Sequence, residues 1–174
     1  MLRSLRLAAL LLLAAHTGIA QQPPADEATK LLDHLAGRWV MTGTLGGKQT
    51  THDLEAEWVL KREYLRLHEI SREKDSSGAP AYEAIVFLSW DKKSNQYTCL
   101  WLDNTAQAAG FQPIARGRKK GDSVPLVFKI SPRESLHTTF RYDRGTDSWQ
   151  MTIDDVTAGK TDRFGDVRLT RRAN

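Results

Sequence analysis

The residues able to do chemistry are few and scattered. The chain has 5 histidines and a single cysteine. His16 falls in an N-terminal apolar segment, which leaves His34, His52, His68 and His137. No pair of them has metal-ligand spacing, and a closed zinc site needs three or four ligands. Cys99 lies in an apolar strand-like run, where a lone thiol behaves as a small buried hydrophobe. There is no Gly-x-Ser-x-Gly elbow, no phosphate-cradling glycine loop and no His-Glu-x-x-His. Asp154 and Asp155 are neighbours in a strand, so they point to opposite faces and cannot share a proton. Asp143 and Asp147 flank a turn, where Asp serves local hydrogen bonds, and calcium would find too few oxygens there. No catalytic residue and no metal site is expected.

What the pattern offers instead is a binding surface. His52 alone among the histidines shares the apolar parity of Leu54, Ala56 and Trp58, which would aim it inward near a rim, in contact with water. Trp58, Trp101, Phe140, Tyr142 and Trp149 fall on apolar strand faces, Met151 lies across from Phe140, and Asp103 follows two residues after Trp101. Turned inward, that face makes an apolar cavity with a carboxylate near its end, suited to a hydrophobic ligand with a donor or cationic group. The same aromatics could simply fill the interior, and both readings stay open. Phe111, between Gly110 and Pro113, reads as a strand irregularity that re-aims a side chain over the mouth. The candidate ligand-binding residues are thus His52, Trp58, Trp101, Asp103, Phe111, Phe140 and Met151.

The elements that must position these residues are mostly strands. Asp26 reads as an N-cap before Leu31, Leu32 and Leu35, which gives one short amphipathic helix stopped by Gly37. After it the chain alternates in period two, interrupted at Gly46-Gly47, Lys61-Arg62, Asp75–Gly78, Lys92–Asn95, Lys120–Asp122, Arg144–Thr146 and Ala158-Gly159. The expected fold is all-β, an antiparallel up-and-down barrel of about nine or ten strands, since closure leaves no edge.

Register follows from polarity. A turn at Lys61-Arg62 puts Trp58 opposite Leu65 and Ala56 opposite Leu67, with Glu57–Arg66 and Glu55–His68 outside. A turn over Arg144–Asp147 puts Tyr142 opposite Trp149, Phe140 opposite Met151 and Thr138 opposite Ile153, with Arg141–Gln150 and His137–Asp154 outside. The outward His68 and His137 are expected in surface ion pairs, and His34 on the helix surface. Pairing Trp90 with Tyr97 leaves Ile85, Phe87, Leu100 and Leu102 on an outer face as apolar as the inner one, so the helix or a second copy of the chain must cover it.

Residues 1–20 carry Arg3 and Arg6, an apolar run from Leu7 to Ala15 and the small-residue exit Gly18-Ile19-Ala20, the pattern of a secretory signal peptide. The run is too short for a bilayer, which needs about 20 residues, so no membrane anchor is expected. Cleavage near Ala20 leaves a lead-in at residues 21–25 and one domain at 26–174, secreted or periplasmic. It also lowers the formal charge from +4 by the two arginines. Nucleic acid is not an expected partner, because the basic clusters 116–120 and 171–172 lack interleaved aromatics.

Leu35-Ala36-Gly37-Arg38-Trp39 resembles the Gly-x-Trp opening of lipocalin-like (calycin) barrels. With Trp58-Val59-Leu60, Tyr64-Leu65, Leu88–Asp91, Tyr97 and Trp101–Asp103, most of residues 26–171 resembles exported bacterial proteins of unknown function with a lipocalin-like domain. The resemblance implies a ligand cavity and a Trp that closes the barrel floor under an Arg from the last strand. Trp39 and Arg171 match those structural roles. A cousin group with this fold binds haem through one His, which makes haem a minor expectation and His52 its test residue. The leading expectation is a carrier of a small apolar or amphipathic molecule. A cavity enzyme (an isomerase or a haem-dependent activity) and a non-catalytic dimerisation or interaction module are the alternatives.

Overall fold

The computed structural model describes residues 25–105 and 113–173. One helix, α1 (Ala25–Asp33), precedes ten strands. These are β1 (Gly37–Leu45), β2 (Lys48–Val59), β3 (Tyr64–Ser71), β4 (Glu83–Asp91), β5 (Gln96–Asp103), β6 (Ile114–Gly117), β7 (Ser123–Ser131), β8 (Glu134–Asp143), β9 (Ser148–Thr157) and β10 (Lys160–Arg171). Each strand pairs antiparallel with its sequence neighbour, and β1 closes the ring on β10. Closure leaves no free edge strand to template aggregation, although the ladders of the short β6 with β5 and β7 cover only four and two residue pairs.

The alternating burial of the strands places one face of each in a continuous core. Trp58 lies opposite Leu65, Trp90 opposite Tyr97, and Tyr142 opposite Trp149. The link between β2 and β3 is longer than the turn expected at Lys61-Arg62. Leu60, Lys61 and Arg62 all take positive φ in a 3-10 turn, which preserves the register. Of the outer histidines, His68 makes the expected surface ion pair with a different partner, and His137 makes none among the described residues. His68 sits opposite Glu55, yet its Nε2 pairs with Glu83 at 2.7 Å. His137 sits opposite Asp154 but contacts Ser135, and Asp154 pairs with Arg163 instead. An Arg fork competes better for a carboxylate than an imidazole does.

The helix begins at Ala25, so Asp26 lies in its first turn rather than before it. It seals one end of the barrel. Ala28, Leu31, Leu32 and Leu35 are buried, and the Tyr97 hydroxyl donates to the Ala28 carbonyl at 2.9 Å. Indole N–H groups of Trp39 and Trp149 donate to the carbonyls of Leu35 (2.7 Å) and His34 (3.3 Å), so the floor aromatics meet the carbonyls of the turn that follows the helix. The Arg171 guanidinium lies 3.9 Å from the Trp39 ring centre and donates to the carbonyls of Ala36 and His34. Gly37 (φ +125°) does not stop the helix. It opens β1, and a Cβ there would stand 2.4 Å from Arg171 Nη1, so glycine makes room for the guanidinium.

With α1 spent on the floor, it does not cover the apolar outer face of β3 to β6. Leu60, Tyr64, Leu102 and Ile114 stay exposed there around Phe87 and Leu100. Cys99 is buried on the inner side of the same strands, and burial pushes its thiol well up.

Candidate functional site

The end opposite α1 is open. A cavity of about 390 Å³ enters the barrel there, between the last residues of β1, β3 and β5 and the first of β2, β8 and β10. Its deep wall is apolar, formed by Trp101, Phe128, Met151 and Ile153. Apolar walls follow from strand parity: Val86 faces Trp101, and Ile153 faces Thr138, all turned inward.

One polar chain interrupts that wall. His52 and Glu69 are each only 2% exposed. Opposite His52 stands Ser71, and opposite Leu54 stands Glu69, so His52 and Glu69 are diagonal neighbours on the inner face. His52 Nδ1 lies 2.5 Å from Glu69 Oε1, and its Nε2 lies 2.6 Å from Thr50 Oγ1. The Thr50 hydroxyl in turn donates to Glu73 Oε2 at 2.9 Å, while the Thr51 N–H donates to Glu73 Oε1 at 2.8 Å. Burial opposes ionisation of Glu73. Its own N–H, the Thr51 N–H, the Thr50 hydroxyl and the nearby His52 nonetheless hold its carboxyl below the usual range.

Proton bookkeeping along this chain decides its chemistry. Glu73 is an acceptor only, so the single Thr50 proton goes to it. His52 Nε2 must therefore donate to Thr50, and one further proton lies between His52 Nδ1 and Glu69. Thr50, His52 and Glu69 have the spacing of a nucleophile, base and orienting acid. The proton runs the wrong way for that role, because Nε2 gives a proton to the hydroxyl instead of taking one. For the same reason His52 has no bare nitrogen for a haem iron. Ligation would require it to abandon Thr50 or Glu69, so these residues do not fit axial binding of haem.

Tyr82 completes the polar wall. Its ring stacks on His52 at 5.5 Å between centres, and its hydroxyl accepts from Trp101 Nε1 at 3.0 Å. Burial, then the charges of Glu69 and Asp103, push its phenol far above its ordinary value, so it stays a neutral hydroxyl. The segment between β3 and β4 that brings Tyr82 here is tied to β2. Arg72 N–H donates to the Thr51 carbonyl, and Ser71 Oγ accepts from Tyr82 N–H and donates to the Glu73 carbonyl.

The expected site residues divide. His52, Trp101, Asp103 and Met151 line the cavity. His52 does so as a buried, doubly engaged residue, and not as a rim histidine in contact with water. Trp58 belongs to the closed end, where its indole donates to Asp33 at 2.8 Å under the Arg62 guanidinium. Phe140 is buried in the core and does not line the cavity. Phe111 lies outside the described residues. Sequence reasoning missed Glu69, Glu73, Tyr82 and Phe128. Glu69 carried a signal, since it shares the inward parity of Leu65 and Leu67. Among the described residues, no group of three His, Cys, Asp or Glu could hold a metal ion, and no helix is long and apolar enough to cross a membrane.

No family model matches the chain, and no curated protein does. Among solved structures, the crystal structure of Rv2717c from M. tuberculosis superposes with a TM-score of 0.57 at 17% identity, over 88% of this chain and 100% of that one. At that identity the likeness concerns the barrel fold alone.

Proposed function

We propose that the chain is an exported, lipocalin-like carrier that holds a small apolar or amphipathic molecule in the open end of its barrel. The cavity supports this reading best. At about 390 Å³, it falls within the range of about 300–1,000 Å³ usual for small-molecule sites. It joins apolar walls to a few fixed polar groups. The reading includes release after cleavage near Ala20. The test is titration with the neutral fluorophore N-phenyl-1-naphthylamine, with native mass spectrometry of protein taken from its own host. Saturable fluorescence enhancement that Thr138→Phe abolishes is expected, since Thr138 lines the cavity. A protein that carries nothing and enhances no probe would sink the proposal.

The exposed apolar face of β3 to β6 favours a second role beside carriage, self-association through a second copy. Its flanking charges are already paired within the chain, as Arg66–Glu57, His68–Glu83 and Arg116–Asp91. No net field therefore selects a charged partner, and a like surface is the natural complement.

A further inference from the structure

The cavity is negative inside a chain that is positive. The sequence carries a formal charge of +4, whereas the lining brings Glu69, Glu73 and Asp103 against Lys48 and His52. Glu69 is spent on His52, whose Nδ1 lies 2.5 Å from its Oε1. What remains is Glu73, Asp103 and the exposed Lys48. Glu73 is spent on Thr50 and Thr51. Asp103 differs. Its Oδ1 accepts from the Thr105 N–H and hydroxyl, and among the described residues it makes no ion pair. It is half-buried at the mouth, two residues along the strand from Trp101.

The groups around Asp103 are aromatic. Trp101 and Tyr82 line the wall next to it, and Phe128 stands 6.3 Å from Trp101 in an edge-to-face pair. Aromatic rings beside a carboxylate recognise an organic cation: rings attract it through their quadrupoles, and the carboxylate supplies the countercharge. A bare metal ion would find too few oxygens. An anion would meet the field of Asp103, which together with that of Glu69 is also felt at the Tyr82 phenol.

We infer that the ligand carries a cationic nitrogen, as an alkyl- or arylammonium, whose charge stops at Asp103 while its apolar part lies against Phe128, Met151 and Ile153. This rests on the carrier reading and narrows it to a class of molecule. It also explains why a basic chain keeps acidic side chains at this end: they admit cations and turn away fatty acids, which a cavity with a basic mouth would favour.

The experiment compares decyltrimethylammonium, decanol and decanoate by isothermal titration calorimetry against the full-length mature chain at low salt. The ammonium compound should bind about tenfold more tightly than decanol, and decanoate more weakly than either. Asp103→Asn keeps the acceptor for Thr105 and should abolish the ammonium preference, with the affinity for decanol changing far less than that for the ammonium compound. Glu73→Gln should reduce the preference less. Equal affinities for the ammonium and the alcohol, or an Asp103→Asn variant that keeps the preference, overturn the inference and leave the carrier reading standing. If none of the three binds, the carrier reading falls and takes the inference with it.

Discussion

Replacing His52 by leucine removes one member of a buried pair and strands the other. His52 and Glu69 side chains are each 3% exposed and 2.5 Å apart, so neither has water to fall back on. Breaking a buried pair by deleting one partner costs about 3–5 kcal/mol. The lower end applies, because the adjoining cavity can admit water to the Glu69 carboxyl. For a domain of this size about 3 kcal/mol corresponds to a fall in Tm of roughly 6–12 °C. Glu69→Leu should cost less, about 1–3 kcal/mol, because the imidazole left behind can be neutral and keep its bond to Thr50. The decisive variant is the double one. His52→Leu with Glu69→Leu leaves no orphaned charge and an added apolar surface, so it should lie within about 1 kcal/mol of the parent. The double variant should therefore be more stable than His52→Leu alone. Urea denaturation followed by tryptophan fluorescence measures all four species, with unchanged m-values showing that the denatured state is comparable. Additive costs, or a His52→Leu cost below about 1 kcal/mol, would refute the buried-pair reasoning.

Other outcomes test other parts of the molecule. Arg171→Ala removes a guanidinium that lies over Trp39 and holds the His34 and Ala36 carbonyls after the helix, and should cost about 2–3 kcal/mol, read by the same denaturation. Gly117→Ala would place a Cβ 1.6 Å from the Pro125 carbonyl oxygen, so it should separate β6 from β7 and cost about 3 kcal/mol or more. Hydrogen bonds from Arg171 and Tyr142 hold the Asp147 carboxyl below its ordinary value. Its contribution is complete above the unfolded value of about 3.9 and is lost as pH falls through the lower folded value, so Asp147→Asn should flatten the acid limb of a stability–pH curve and lower the plateau above it. The Cys99 thiol should react with a disulfide reagent at the rate of global unfolding, and any burst at native conditions would contradict its burial. Ile114→Lys should lower the sedimentation coefficient of any self-associated species without changing Tm by more than a degree or so.

The barrel was readable in the sequence because its register is enforced by polarity. Trp58–Leu65 and Tyr142–Trp149 each put apolar side chains on one face, and a slip by one residue would have reversed them. The floor was readable for the same reason, since Arg171 follows the parity of Val167 and Leu169 and comes to lie opposite Trp39. The helix was readable as an element but not in its place, because an apolar stripe requires cover without naming the cover. The floor and the outer face of β4 and β5 both offered it, and the hydrogen bonds of Trp39, Tyr97 and Trp149 decided for the floor. Extending the hairpin register two steps past Ala56–Leu67 would have brought His52 and Glu69 together. A Glu on an inward parity contradicts the rule that inner faces are apolar, and that contradiction was the mark of the site. Tyr82 and Glu73 reach the cavity through the 72–82 segment, whose path no period describes. Trp58 and Phe140 share the correct face but the wrong height, because parity assigns a side and not a depth.

The pairing of β1 with β10 has a consequence for how the molecule comes into being. Trp39 meets Arg171, and the Arg172 N–H donates to the Arg38 carbonyl, so the seam joins almost the first described strand residue to almost the last. A chain still emerging from a ribosome or a translocation pore cannot make that seam. Until it does, β1 and β9 expose open edges and both barrel ends lack support. Such long-range closure is slow compared with hairpin formation, so the unfinished sheet has a lifetime in which chaperones can hold it. A barrel closed this way encloses its cavity only after β10 has been made.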